Sequence, residues 1–149
     1  MLGTDSTSSI CSQELLETIP VVMYYIRRGV RRELGAKASL PQIRALSFIR
    51  RNPASTLSTV AEYLAVSKAT ASSIIDRLVR KGFVTRIADP NERRCVQLSL
   101  TRAGQDEYRQ IEQVAIAELN RVLTRLPDAQ VKEIEKGLRV LKQALAERE

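Results

Sequence analysis

The sequence predicts a mainly α-helical chain that carries one small β-hairpin. Apolar residues recur every three or four positions over much of the chain, which is the spacing of helices that bury one face. Two short segments of this kind, at residues 57–64 and 68–80, are separated by only three residues. Alternating apolar and polar residues follow them, as in a half-buried strand. Two helices joined by a tight turn and followed by a hairpin therefore define the predicted fold class.

The N-terminal part is predicted to form a long amphipathic helix over residues 12–35, after a flexible segment at residues 1–11. Its apolar stripe comprises Leu15, Ile19, Val22, Ile26, Val30 and Leu34. Pro20 lies within this stretch and removes one backbone hydrogen bond, so the alternatives are a kink or a helix that begins near the proline. Gly35 provides a C-terminal stop.

The next helix is predicted over residues 40–52. Pro41 is tolerated in its first turn, and Pro53 lies just beyond its end. The two short helices follow, the first capped by Ser58 or Thr59. Each is predicted to bury one apolar face, which comprises Val60, Ala61 and Leu64 in the first helix and Ala71, Ile74, Ile75 and Leu78 in the second. The tight connection between them is typical of a helix-turn-helix.

A β-hairpin is predicted directly after these helices. Its strands span residues 83–88 and 95–100, and residues 89–94 form the polar turn. Together, the helices and the hairpin predict a winged helix-turn-helix over residues 40–100, in which the hairpin is the wing.

Two further helices are predicted over residues 101–149. Thr101 is expected to cap the first, and Pro127 to end it. The last helix carries a heptad-like seam of Val131, Ile134, Leu138, Leu141 and Leu145. Because one small lobe is not able to cover both this seam and the N-terminal stripe, residues 12–35 and 101–149 are predicted to form a homodimerisation domain.

Composition narrows the classes of function. The net charge of +7 favours a polyanionic partner, either nucleic acid or an acidic membrane surface. There is no apolar run of the roughly 20 residues that a membrane helix needs and no signal-peptide pattern, so a cytoplasmic location is expected. The chain has no histidine, and Cys11 and Cys95 lack metal-ligand spacing. We therefore expect no metal, no cofactor and no enzymatic activity.

The second short helix has a polar face suited to the major groove of DNA. Thr70, Ser73 and Arg77 share one stripe, on which small side chains permit close approach and the arginine can reach guanine or phosphate. Ser67 and Lys68 at the helix N-terminus favour a phosphate. The alternative is an ordinary solvated helix face, but the position of this helix between a tight turn and a basic hairpin favours DNA.

Acidic residues modify this interpretation. Asp76 repels phosphates unless it is neutralised, and Arg80, four residues on, is the expected partner.

At the wing tip, Arg93 and Arg94 form a narrow basic loop suited to the minor groove, with Glu92 expected to hold Arg94 in its rotamer. The alternative for this loop is a solvated charged turn.

These motifs resemble the signature of the MarR (multiple antibiotic resistance regulator) family. The resemblance lies in Asp89-Pro90-Asn91-Glu92-Arg93-Arg94, Leu98-Ser99-Leu100-Thr101-Arg102-Ala103-Gly104, Leu40-Pro41-Gln42, Ala61-Glu62 and Arg77-Leu78-Val79-Arg80-Lys81-Gly82-Phe83-Val84. It implies a homodimeric winged-helix regulator in which the terminal helices of two subunits interlace.

By position, the resemblance also implies a set of DNA contacts. These are Ser67, Lys68, Thr70, Ser72, Ser73, Arg77, Arg86, Glu92, Arg93 and Arg94. Arg94 would enter the minor groove, and Arg86 would face the adjacent backbone. Glu92 stands where the family commonly has aspartate. Ala65 stands where it often has glycine, so a left-handed turn there costs roughly 1 kcal/mol more.

Effector binding is likewise implied by the resemblance. Family members commonly bind small aromatic or phenolic anions, for which the candidate lining residues here are Tyr24, Tyr25, Arg28 and Arg44. Some relatives sense organic hydroperoxides through a cysteine near the start of the first helix. Cys11 lies about one turn too early for that role, and an inert thiol is the alternative.

The predicted function is that of a ligand-modulated transcription regulator, with repression as the expected mode. It would bind a pseudo-palindromic operator as a homodimer and catalyse no reaction. The alternatives are a winged-helix module that binds another protein and a redox-sensing regulator that acts through Cys11.

Overall fold

The computed structural model of the protein describes residues 6–35, 38–92 and 95–147. Within these ranges the order of elements is α1 (Thr7–Leu34), α2 (Leu40–Arg51), β1 (Ser55–Thr56), α3 (Leu57–Leu64), α4 (Lys68–Arg80), β2 (Val84–Ala88), β3 (Val96–Leu100), α5 (Arg102–Leu123) and α6 (Asp128–Ala146). The predicted class, mainly helical with a small β-hairpin wing, is confirmed.

The chain forms two compact units, and α1 and α5 contribute residues to both. The winged-helix unit comprises residues 27–114, and the helical unit comprises residues up to 26 and from 115 onward. The winged-helix unit thus extends beyond the predicted residues 40–100 at both ends. Two apolar residues in these extensions, Val30 and Ile111, are buried.

The core of the winged-helix unit is formed by apolar residues that α2, α3, α4 and the sheet turn towards one another. It comprises Ala45, Leu46, Ile49, Val60, Leu64, Ile75, Leu78, Val84 and Leu98. The inward faces predicted for α3 and α4 are confirmed, apart from Ile74, which is only partly buried. Helical periodicity identified these faces because each helix buries a single stripe.

The caps of the short helices depend on side-chain oxygens. Ser39 begins α2 by accepting a hydrogen bond from the N–H of Gln42. The prediction that Ser58 or Thr59 caps α3 is wrong, because the N-cap is Thr56. Thr56 Oγ1 accepts from the N–H of Thr59 at 3.3 Å, while Thr59 Oγ1 accepts from the N–H of Thr56 at 2.9 Å. This reciprocal pair is a capping box.

The turn between α3 and α4 is left-handed at Ala65, where φ is 55° and ψ is 46°. The N–H of Val66 donates to the carbonyl of Ala61 across this turn at 3.0 Å. The strained alanine expected from the sequence is therefore present. After the turn, Ser67 caps α4 by accepting from the N–H of Thr70 at 3.1 Å.

The sheet has three antiparallel strands in the order β1-β3-β2. The predicted hairpin is confirmed, with Val84 opposite Leu100 and Ala88 opposite Val96. The sequence did not indicate β1, whose Ser55 lies opposite Leu98. A strand of two residues is too short to show an alternating pattern.

The helical unit contains the N-terminal part of α1, the C-terminal part of α5 and α6. Helix α1 begins at Thr7 rather than at the predicted residue 12, and Ser6 Oγ accepts a hydrogen bond from the N–H of Ser9 in its first turn. The helix continues through Pro20, so the alternative of a start near that proline is wrong. None of the described residues of α6 is buried. Over the described residues, no helix is long and apolar enough to cross a membrane.

Candidate nucleic-acid interface

Helix α4 presents opposite faces to the core and to solvent. Ala71, Ile75 and Leu78 are buried, which fixes the rotation of the helix about its axis. Ser67, Lys68, Thr70, Ser73 and Arg77 are exposed, and Ser72 is half-buried. The residues selected from the sequence therefore lie on or beside an accessible face whose orientation is set by the core.

The N-terminal end of this face is held by two hydroxyl groups. Ser67 Oγ accepts from the backbone N–H of Thr70 and donates to Thr70 Oγ1 at 3.0 Å. Lys68 follows immediately and is exposed. A capped helix N-terminus with an adjacent cation is electrostatically suited to a phosphate group.

Asp76 pairs with a residue on the wing rather than on its own helix. Its Oδ1 atom accepts a hydrogen bond from Arg86 Nη2 on β2. The predicted pairing with Arg80 is therefore wrong, since Arg86 reaches the carboxylate across the gap between α4 and β2. The interpretation of Arg86 also changes, because its guanidinium neutralises an acid on α4.

The wing turn is organised by acidic side chains. Asp89 Oδ1 accepts from the N–H of Asn91 at 2.8 Å, which closes an Asx turn, and Asp89 Oδ2 accepts from Gln97 Nε2 at 3.1 Å. Arg93 and Arg94 lie outside the described residues, and so does the predicted contact between Glu92 and Arg94. The predicted polar turn is confirmed on either side of these two arginines.

The Glu92 carboxylate contacts a cysteine. Cys95 Sγ donates to Glu92 Oε2 at 3.1 Å. This hydrogen bond and the negative charge of Glu92 raise the pKa of the Cys95 thiol, because both favour the protonated form. Cys11, the other cysteine, lies on α1 and is exposed.

The start of α5 is held against the segment that joins α4 to β2. Thr101 donates its N–H to the carbonyl of Phe83 at 3.0 Å, and its hydroxyl donates to the carbonyl of Gly82. The same hydroxyl accepts from the N–H of Gly104 at 3.0 Å, which confirms Thr101 as a cap. Gly104 packs so closely against Phe83 that a side chain there would collide with it. These contacts fix the start of α5 relative to the base of the wing.

Lys81 provides a second tether at the end of α4. Its Nζ atom donates to Oε1 of the buried Gln42 at 3.1 Å. A buried amide oxygen requires a hydrogen-bond donor, and here the donor is Lys81, the C-cap residue of α4. The sequence marked Gln42 only as part of a family motif, and its partner lies 39 residues away.

An aromatic and cationic cluster on α2 and α3 was not anticipated. Tyr63 stacks on Phe48 with ring centroids 4.5 Å apart. The guanidinium of Arg44 lies 5.4 Å from the Tyr63 ring centroid and donates to the Tyr63 carbonyl, while Arg51 donates to the Tyr63 hydroxyl at 3.2 Å. Arg44, a candidate effector residue, is thus engaged by Tyr63, and no sequence pattern indicated that pairing.

The other candidate effector residues lie on α1. Tyr24 and Tyr25 are exposed in the helical unit, and their rings contact each other edge to face with centroids 5.9 Å apart. Arg28 is exposed in the winged-helix unit, to which Arg44 also belongs.

Helices α2, α3 and α4 pack around one core, the wing is an antiparallel hairpin, and α4 exposes a polar face. Together these features define a winged helix-turn-helix regulator of the DNA-binding class. Comparison with known proteins gives a family likeness. The sequence profile of the MarR family matches residues 38–96 of this chain. The sequence-based resemblance is therefore confirmed.

Individual relatives agree with this assignment. The chain is 28% identical over 107 residues to the uncharacterised HTH-type transcriptional regulator YfiV of Bacillus subtilis, covering 72% of this chain and 67% of that protein. It is 30% identical over 97 residues to the HTH-type transcriptional regulator BilQ of Clostridioides difficile, covering 65% and 66% respectively. The crystal structure of RV1404 from Mycobacterium tuberculosis has the same fold, with a TM-score of 0.81, 21% identity and coverage of 96% of this chain and 97% of that one.

Proposed function

We propose that the protein is a homodimeric repressor that binds a pseudo-palindromic operator in double-stranded DNA. The observation that carries this proposal is the exposed face of α4, where Ser67, Thr70, Ser73 and Arg77 lie opposite a buried apolar stripe. Helices of this kind enter the major groove and read base edges near their N-terminus. The wing, whose turn is predicted from the sequence to include Arg93 and Arg94, would contact the adjacent minor groove. Such a regulator works in the cytoplasm by binding alone and catalyses no reaction.

The exposed apolar surface of α6 supports a homodimer. Ile134, Leu138 and Leu145 are 41%, 60% and 61% exposed, although all three belong to the predicted heptad-like seam. A surface helix that buries none of its described residues within its own chain is expected to bury its apolar seam against a second copy. A twofold dimer would then present two α4 helices about one turn of DNA apart.

The oligomeric state is tested by light scattering at micromolar concentration. The wild-type protein is expected to have the mass of a dimer. Leu138→Glu would put a charge into the seam and shift the population to monomer. A monomeric wild-type protein would contradict the homodimer.

DNA binding is tested by selecting duplexes from a random pool with the wild-type protein. An enriched, pseudo-palindromic sequence is expected, with an affinity that falls linearly with salt on a logarithmic scale. Arg77→Ala should weaken binding to the enriched duplex by roughly 5- to 150-fold, because one good base contact is worth about 1–3 kcal/mol.

Arg109→Ala is the matched control for Arg77→Ala. Arg109 is an exposed arginine on α5, paired with Asp106, and lies outside the helix-turn-helix. Its loss should change affinity much less. If no duplex is enriched and the protein is not retained on heparin, the protein-binding winged-helix module becomes the better interpretation.

Effector control is the second part of the proposal. A small aromatic or phenolic anion is expected to contact Tyr24, Tyr25, Arg28 or Arg44, and to act by favouring one spacing of the two α4 helices over another. Titration with benzoate and with 4-hydroxybenzoate, monitored by affinity for the enriched duplex, tests this part. If every compound that binds leaves that affinity unchanged, effector control is wrong while DNA binding stands.

A further inference from the structure

We propose that Asp76 is a specificity-determining residue, which positions Arg86 against α4. In that position the positive charge of Arg86 is not available for sequence-independent contact with DNA. This inference rests on the proposed function, because it concerns how the same surface distinguishes an operator from other DNA. Its geometry, however, is a property of the free protein. The essential observation is the ion pair between Asp76 Oδ1 and Arg86 Nη2.

Asp76 occupies an unfavourable position for a carboxylate. It lies on α4 between Ser73 and Arg77, both of which are exposed and proposed to contact DNA. A negative charge on this face repels phosphates by an amount that falls with distance and salt. The side chain of Asp76 is 46% exposed, so it has no role in the buried core that would explain a carboxylate at this position.

Arg86 reaches Asp76 because of the register of β2. Val84, two residues earlier, is buried in the core, and alternate residues of a strand point to the same face. Arg86 therefore lies on the face of β2 that turns towards α4, at the edge of the core. From there its guanidinium meets a carboxylate ten residues back in the sequence.

Stabilisation is a weak explanation for the pair. Both side chains are more than 40% exposed, at 46% and 42%, and ion pairs in such positions contribute little to the free energy of folding. The electrostatic effect on DNA binding is larger. While the pair holds, Arg86 adds no net charge to the interface, and the wing strand is linked directly to the middle of α4.

Releasing Arg86 should therefore increase binding to any DNA. Sequence-independent affinity comes from phosphate neutralisation, and each additional phosphate contact steepens the salt dependence by about 0.9 on logarithmic axes. Specificity is a difference between two affinities, so it falls when the weaker one rises. By this mechanism, the acid on α4 lowers the affinity for competing DNA.

The test compares Asp76→Asn with wild type on two duplexes. One is the duplex enriched from a random pool by the wild-type protein, and the other is a scrambled duplex of the same length and composition. Asp76→Asn should bind the scrambled duplex about fivefold more tightly, with a salt slope steeper by about 0.9. Its affinity for the enriched duplex should rise less or fall, so the ratio of the two affinities drops.

Two further variants separate position from net charge. Asp106→Asn makes the same change in net charge on α5, where Asp106 pairs with Arg109 at 3.4 Å. It should leave the ratio of affinities unchanged. Adding Arg86→Gln to Asp76→Asn should abolish the gain on the scrambled duplex, because the released guanidinium is the source of that gain.

The outcomes are distinguishable. If wild type discriminates between the duplexes and Asp76→Asn keeps the same ratio, or if the double variant retains the gain, the inference about Asp76 is wrong and the proposed function stands. If wild type enriches no duplex and shows no salt-dependent binding, the proposed function itself has failed. Urea unfolding of each variant shows whether a change in affinity reflects the interface or the fold.

Discussion

The α-carbon of Gly104, in the first turn of α5, lies against the backbone carbonyl of Phe83. A β-carbon added at Gly104 would stand 2.0 Å from the carbonyl oxygen and 2.8 Å from the carbonyl carbon. Neither atom is able to move freely, because the same oxygen accepts a hydrogen bond from the N–H of Thr101. This contact joins the start of α5 to the base of the wing.

Gly104→Ala is therefore expected to lower the free energy of unfolding by about 2 kcal/mol, as overpacking in a rigid site does. Gly137→Ala on α6 is the contrasting substitution, because nothing lies within 4 Å of the added carbon. Gly137→Ala should raise the free energy of unfolding by roughly 0.5–1 kcal/mol, since alanine is the better helix former. Urea unfolding measures both, and a neutral Gly104→Ala would contradict the close contact.

Ala65→Gly should stabilise the protein. Ala65 has a φ of 55° in the turn between α3 and α4, a conformation that costs a residue with a β-carbon about 1–2 kcal/mol. Allowing for the greater freedom of glycine in the unfolded chain, a net gain of about 0.5–1 kcal/mol is expected. Thermal or urea unfolding tests this.

Ala69→Gly provides the control for that substitution. Ala69 is exposed in the first turns of α4, where the backbone is right-handed and helical. The same exchange should there reduce the free energy of unfolding by up to about 1 kcal/mol. A loss of stability in Ala65→Gly similar to that in Ala69→Gly would show that the turn is not strained.

Thr56→Ala should destabilise α3 more than Ser58→Ala. Thr56 accepts the N–H of Thr59 and belongs to the capping box, whereas Ser58 is an exposed residue of the first turn. Loss of an N-cap hydroxyl costs about 1 kcal/mol. Hydrogen exchange of the α3 amides, together with urea unfolding, would show the difference. Equal effects of the two substitutions would argue against Thr56 as the cap.

The reactivity of Cys95 should depend on Glu92. The hydrogen bond from the thiol to Glu92, and the negative charge of that carboxylate, raise the pKa of Cys95. The thiol therefore stays protonated to a higher pH than a free cysteine, and alkylation, which requires the thiolate, should begin at a higher pH.

Mass spectrometry of iodoacetamide labelling in a Cys11→Ser background measures this onset. Glu92→Gln removes the negative charge, so the onset should move to lower pH. Identical pH profiles with and without Glu92 would contradict the interaction.

Much of the fold followed from local patterns in the sequence. Periodicity located the helices, and the wing turn was recognised from Asp89-Pro90-Asn91, whose chemistry closes within a few residues. The exposed face of α4 was also predictable, since Thr70, Ser73 and Arg77 are placed by helical geometry once the apolar stripe is assigned. Each of these features depends on residues close together in the chain.

The tertiary structure decided which distant groups meet. From the sequence, Asp76 has a plausible partner four residues on, yet it pairs with Arg86, because strand β2 returns beside α4 and its register turns that arginine towards α4. Gln42 and Lys81 meet across 39 residues for the same kind of reason, as do Tyr63 and Arg44 across 19. Periodicity assigns a residue to a face, whereas the packing of one element on another selects its partner.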